Sequence, residues 1–139
     1  MSIVQPELTG ARVIDLYAGS GALGLEALSR GAESAGFVDV APEALKAIRE
    51  NGAVLGALDR MRIHRGEALR FAQKLDAGAF DIAFADPPYH LGMAPRLAAQ
   101  WLRVPFARVL GIEHDAHEAL PEGGDTRVYG GTAVTIYRE

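Results

Sequence analysis

Asp15-Leu16-Tyr17-Ala18-Gly19-Ser20-Gly21-Ala22-Leu23-Gly24 joins an apolar run to a helix-forming run through closely spaced glycines. Residues 12–17 (RVIDLY) read as a strand that ends in this turn. Residues 23–30, rich in Leu, Ala and Glu, read as a helix that stops at Gly31. Gly19 and Gly21 permit positive φ and let a ligand lie directly on the backbone. A helix that begins here also presents free N–H groups to that ligand. Gly19, Gly21 and Gly24 satisfy the G-x-G-x-x-G dinucleotide fingerprint too, so the turn alone leaves the cofactor open. A purely structural turn is the plainer alternative, and the strand–turn–helix context weighs against it.

Outward from this turn, short apolar runs keep alternating with helical stretches, the mark of a parallel sheet wrapped by helices. Residues 34–40 form a second strand that closes at Asp39, and Pro42 opens a helix over 42–55. Ala44, Leu45, Ile48 and Leu55 mark its apolar stripe. Residues 60–64 make a third strand and 67–75 a short helix. FDIAFA at 80–85 is apolar enough to be a central, buried strand. A helix over 94–102 packs through Trp101, a fifth strand covers 108–113, and 126–129 with 133–138 close as a hairpin through Gly130-Gly131. Neither repeat nor linker interrupts the pattern, so residues 1–139 read as one doubly wound α/β domain.

Three further positions carry chemistry. A carboxylate at Asp39 accepts both ribose hydroxyls of an adenosine ligand, which suits NAD and S-adenosylmethionine equally; the plainer role is a helix N-cap. Glu67, after Gly66, is placed to receive an adenine amino group, although acidic residues near helix starts are common. Asp86-Pro87-Pro88-Tyr89, directly after the buried fourth strand, separates the cofactors. An exocyclic amino group on a base is a poor nucleophile because its lone pair is delocalised into the ring. A carboxylate (Asp86) and a backbone carbonyl (Pro87), side by side, accept both amino hydrogens and localise that lone pair. Paired prolines stiffen the loop, and Tyr89 offers a face for a flipped-out base, a contact worth roughly 1–3 kcal/mol.

Together, Asp15 to Gly21, Asp39, Gly66-Glu67 and Asp86 to Tyr89 resemble the class I amino-methyltransferases. The fuller run DLYAGSGALGLEALSRGA, with FVD, DPPY and the closing YGGTAVTIYR, resembles the bacterial 16S ribosomal RNA guanine-N2 methyltransferase family over nearly the whole chain. The resemblance implies a Rossmann-like three-layer αβα sandwich whose seven-stranded sheet is mostly parallel with a reversed C-terminal strand. It implies S-adenosylmethionine held at Asp15, Gly19, Gly21, Asp39 and Glu67, and catalysis at Asp86, Pro87, Pro88 and Tyr89. The implied partner is ribosomal RNA or a small-subunit assembly particle, with no metal. Glu67 departs from the Asp common at its position. That family also has a basic N-terminal segment, with a helix over the cofactor and arginines that hold RNA. Only about ten residues precede Arg12 here, which reads as a shortened or divergent member.

Composition bounds the rest. The chain is 49 % apolar and 23 % charged, ordinary for a soluble domain, and its net charge of −4 speaks against nucleic-acid binding. Cysteine is absent, which excludes disulfides, thiolate zinc sites and cysteine nucleophiles. Methylation at a pyrimidine ring carbon commonly uses a thiolate intermediate, whereas transfer to a nitrogen lone pair needs none. Residues 1–6 lack a basic stretch followed by an apolar core, no apolar run spans a membrane, and the expected address is cytoplasmic. Alternatives remain: adenine N6 of DNA as substrate, an NAD domain that leaves residues 86–89 idle, or a cofactor-binding module without catalysis. Arg60, Arg62, His64 and Arg65 form a basic cluster with two readings, an RNA phosphate contact or protection of a sheet edge. His114 and His117 beside Glu113 and Asp115 mimic a metal site without a visible third ligand. His90 reads as a substrate contact or a solvated loop residue, and Trp101 and Phe106 as core.

Overall fold

The apolar run at 80–85 lies at the middle of the sheet because both of its faces must be covered. Ile82, Ala83, Phe84 and Ala85 are all buried there. The computed structural model describes residues 7–139; the front stretch read above for a leader, residues 1–6, lies outside the described residues. Seven strands follow the order β3-β2-β1-β4-β5-β7-β6. They are β1 (Arg12–Leu16), β2 (Ser34–Asp39), β3 (Met61–Arg65), β4 (Phe80–Ala85), β5 (Ala107–Asp115), β6 (Asp125–Tyr129) and β7 (Thr132–Arg138). The first five run parallel, β7 lies antiparallel to β5, and β6 pairs antiparallel with β7. This is the mostly parallel sheet with a reversed C-terminal strand that the resemblance implied.

Among the described residues, four α-helices cover the two faces: α1 (Ala22–Ser29), α2 (Pro42–Val54), α3 (Ala68–Gln73) and α4 (Met93–Arg103). Phe37, Ile48 and Leu28 belong to the core under α1 and α2. Leu97, Trp101, Phe106 and Tyr137 belong to the core under α3 and α4. The Trp101 indole N–H donates to the Ala107 carbonyl at 2.7 Å, so its one polar atom is satisfied inside that layer.

Two local readings need correction. Leu55, expected in the apolar stripe of α2, is the residue that ends the helix and stands 51 % exposed. Arg60, expected on the third strand, belongs to a tight helical turn (Leu58–Arg60) before β3, and its guanidinium donates to the Ala32 carbonyl at 3.2 Å. β3 is nevertheless an edge strand, where exposed Arg62 and Arg65 suit a solvated border.

Strand order reverses between β1 and β4, and at that switch point the carboxyl ends of the strands open a crevice. Its floor depends on how closely α1 approaches β2. A Cβ on Gly24 would stand 2.4 Å from the fully buried Phe37 ring, which has no room to retreat. Ala gains up to about 1 kcal/mol over Gly in a helix, whereas overpacking costs about 1–3 kcal/mol, so the clash wins. Gly24→Ala is therefore expected to lower the urea midpoint; an unchanged or raised midpoint contradicts this account of the packing.

Candidate active site

Asp15 closes the inner face of the glycine turn. It is 2 % exposed, and its Oδ2 accepts the Gly24 N–H at 3.0 Å, so the carboxylate serves the first turn of α1 from inside the protein. Burial pushes its pKa up to about 7; the Gly24 bond works in the opposite direction, and the nearby charges of Asp39 and Asp86 add to the rise. Two residues on, Tyr17 takes φ 59, a left-handed conformation that costs a non-glycine residue roughly 1–2 kcal/mol. Gly21, at φ 83, is the N-cap of α1 and has no side chain to offer there.

Asp39 draws the neighbouring turns together. Its Oδ2 accepts the Gly19 N–H at 2.8 Å and its Oδ1 the Ala41 N–H at 2.9 Å. A carboxylate has about four acceptor positions, so two remain for ligand hydroxyls. Glu67 is the N-cap of α3, accepting the Leu69 N–H at 2.7 Å and the Arg70 N–H at 3.2 Å. Glu67 thus has a capping role, in line with the acidic residues common near helix starts, and its oxygens keep spare lone pairs.

Tyr17, Asp39, Gly66, Glu67 and Pro88 line one cavity of about 380 Å³, within the ~300–1,000 Å³ range of small-molecule sites. Val38, Leu91 and Met93 make much of the remaining wall apolar. Nothing lies within 4 Å of where a Cβ on Gly19 would stand, so ligand atoms have access to that backbone. Among the described residues, the Tyr17 hydroxyl is buried with no partner at hydrogen-bond distance. Burial, then the negative charge of Glu67, pushes its pKa up to about 12, which keeps it a neutral donor. Two carboxylates, an unused phenol and an open glycine backbone beside apolar walls suit an adenosine-type ligand. Asp15, Gly19 and Gly21 form the turn beside this cavity and are not among its lining residues.

The run 86–89 leaves β4 at the same end of the sheet. Asp86 is exposed, Pro87 buried, Pro88 in the cavity wall and Tyr89 37 % exposed. Two contacts hold this loop. The Tyr89 hydroxyl lies 3.1 Å from Thr132 Oγ1 at the start of β7. His90, at φ 66, places its Nε2 3.4 Å from the Asp115 carboxylate at the end of β5.

Sequence reasoning missed two members of this site. Tyr17 sat inside the quoted glycine motif, but its aromatic type and adjacency to the turn did not announce a cavity wall. Glu113 was considered only as part of a metal mimic. Ala85 pairs with Ile112, so the next residues, Asp86 and Glu113, meet at the carboxyl ends of adjacent parallel strands. Burial and the facing Asp86 carboxylate raise the Glu113 pKa. The carboxyl-end rule was the available signal. His114 has a different role: it is 3 % exposed, with Nε2 2.7 Å from Thr135 Oγ1 and Nδ1 2.9 Å from the Asp115 carbonyl. Thr135 Oγ1 in turn lies 2.7 Å from Thr126 Oγ1.

A family model described as "Conserved hypothetical protein 95" matches residues 1–138. "Putative rRNA methyltransferase YlbH" of Bacillus subtilis (strain 168) is 36 % identical over 150 residues, covering 99 % of this chain and 81 % of that protein. "Ribosomal RNA small subunit methyltransferase D" of Escherichia coli (strain K12) is 38 % identical over 89 residues, 63 % of this chain and 43 % of that protein. The solved structure "Putative methyltransferase yhhF from Escherichia coli" superposes with a TM-score of 0.84 at 26 % identity, covering 99 % of this chain and 80 % of that one.

The buried Asp15 carboxyl gives the ligand-free protein a definite pH dependence. Its folded pKa, near 7, lies above the ordinary value of 3.8, so the folded state holds the extra proton between these values. Stability from this group is full below about pH 4 and is lost as pH rises to about 7. Asp15→Asn, whose amide oxygen still accepts the Gly24 N–H, should be more stable than the parent above pH 7, by at most about 4 kcal/mol. That advantage should vanish toward pH 4. Thermal melts across this range test it, and a difference that does not change with pH contradicts it.

Proposed function

The chain belongs to the family described as Conserved hypothetical protein 95, and from that membership and the site geometry we propose that it methylates guanine N2 in 16S ribosomal RNA. At the coarser level it is a nucleic-acid methyltransferase with S-adenosylmethionine as its cofactor. One observation supports amino-group transfer beside the cofactor: Pro88 lines the cavity that Asp39 and Glu67 also line, while Asp86, two residues earlier, is exposed just past the end of β4; the choice of guanine N2 rests on the family resemblance. Cofactor and base would therefore meet across a single turn of chain.

Asp39 would hold the ribose hydroxyls with its free lone pairs, Glu67 would receive the adenine amino group, and the glycine turn would carry the amino-acid end over the open backbone at Gly19. The bound cofactor supplies a methyl group on a positively charged sulfur, a leaving group already activated for in-line transfer. The remaining work is positioning and exclusion of water. Asp86 and the Pro87 carbonyl accept the two amino hydrogens and aim the nitrogen lone pair. The buried Pro87 fixes where its carbonyl stands, because its ring locks φ and packs inside. Tyr89 presents its ring to the base while its hydroxyl stays with Thr132. The amino group becomes acidic only once methylated, and Asp86 then takes the proton. A ribosomal RNA substrate places this work in the cytoplasm.

Asp86→Ala is expected to abolish methyl transfer to small-subunit ribosomal RNA, with S-adenosylmethionine affinity in calorimetry unchanged. Asp39→Ala should weaken that affinity instead. Full transfer activity in the Asp86 variant would overturn the assignment.

A further inference from the structure

The net charge of −4 hides an uneven distribution of charge among the helices. On the α1–α2 side, acidic residues engage two cations: Arg30 pairs with Glu26 at 2.9 Å and Lys46 with Glu50 at 3.9 Å. On the other side, neither α3 nor α4 contains an acidic residue. Arg70, Lys74, Arg96 and Arg103 are all exposed there. Among the described residues, no carboxylate lies within ion-pair distance of these four side chains. Glu67, three residues before Arg70, accepts the amides of Leu69 and Arg70, and Asp76 lies two residues after Lys74.

These cations border a groove of about 280 Å³ between the two helices, lined by Leu69, Gln73, Arg96, Ala99, Gln100 and Arg103. Arg96 and Arg103 are seven residues apart, two turns, so they stand about 10 Å apart along one flank of α4. Gln100 Oε1 accepts from the Arg103 guanidinium at 2.9 Å, which holds that group in place before any ligand arrives. The groove and the candidate active site draw on the same two helices. Ala68 and Met93 line the cavity, while Leu69 and Arg96, the next residue of α3 and the next turn of α4, line the groove.

We propose that the α3–α4 groove binds the sugar–phosphate backbone of the substrate RNA through Arg96 and Arg103, with Arg70 and Lys74 on the outer ridge of α3. The inference rests on the RNA-methyltransferase reading and assigns its substrate a path: across these helices and onto the 86–89 loop. The chemistry favours phosphate over a protein surface. Arginine forks match phosphate oxygens bidentately, and Leu69, the groove's large apolar residue, is 4 % exposed, so there is no anchor of the kind protein interfaces use.

The test compares the parent chain, Arg96→Gln/Arg103→Gln, and Lys46→Gln/Arg49→Gln on α2, in fluorescence anisotropy with a labelled RNA hairpin across a salt series. S-adenosylmethionine affinity is measured alongside by calorimetry. The groove variant should lose roughly tenfold or more in RNA affinity at low salt, and its log K against log salt slope should become shallower by roughly 1.5. Its cofactor affinity should match the parent, and the α2 variant should bind RNA as the parent does. Parent-like RNA binding and slope in the groove variant overturn the groove while leaving the methyltransferase reading intact. A parent chain that binds cofactor but not RNA, or binds polyglutamate as tightly as the hairpin, overturns the groove and the RNA reading together.

Discussion

The Asp39 carboxylate accepts the Gly19 and Ala41 amides at 2.8 and 2.9 Å, and so fixes the glycine turn and the start of α2 to the end of one strand. Backbone bonds extend the same junction: Ala18 donates to Val38 and Gly66 to the Asp39 carbonyl. Three βα turns therefore meet around the end of β2, and the cavity is the space between them. A hydrogen bond to a charged group contributes about 1.5–3 kcal/mol. Two of them give the ligand-free turn a defined shape. The same residue is the one best placed to hold a ribose, so it shapes the site as well as serving it.

Much of this was legible because patterning and position coincide. The 80–85 run predicted β4 at its observed bounds, since a strand buried on both faces must be continuously apolar. The sequence reading expects chemistry at the glycine turn, Asp39, Glu67 and residues 86–89, and the sheet brings their turns to one end. Helix and strand ends moved by a residue or two, as at residue 60, where a tight turn replaced the expected strand start. Glu113 could not be paired with Asp86 without knowing which strands are neighbours. The Tyr17 backbone, left-handed with a bulky ring, contradicts local preference and is held by its surroundings.

Net charge is a blunt measure for a physical reason. It sums over the whole surface, whereas a polyanion meets one face within a Debye length of about 8–10 Å. Cations on α1 and α2 are partly neutralised by helical neighbours four residues away, while α3 and α4 contain no acidic residue. A mildly acidic chain thus distributes its cations unevenly between the two helical layers.

The contacts of His114 carry a consequence for the far edge of the sheet. A carbonyl oxygen only accepts, so the Asp115 carbonyl requires a proton on Nδ1, while Nε2 meets the Thr135 hydroxyl, which also meets that of Thr126. These contacts run from β6 through β7 into β5. β6 is exposed along its whole length and buries little apolar surface. It is bound to the interior by a relay of side chains as well as by its backbone ladder, and a buried imidazole is the relay's inner terminus.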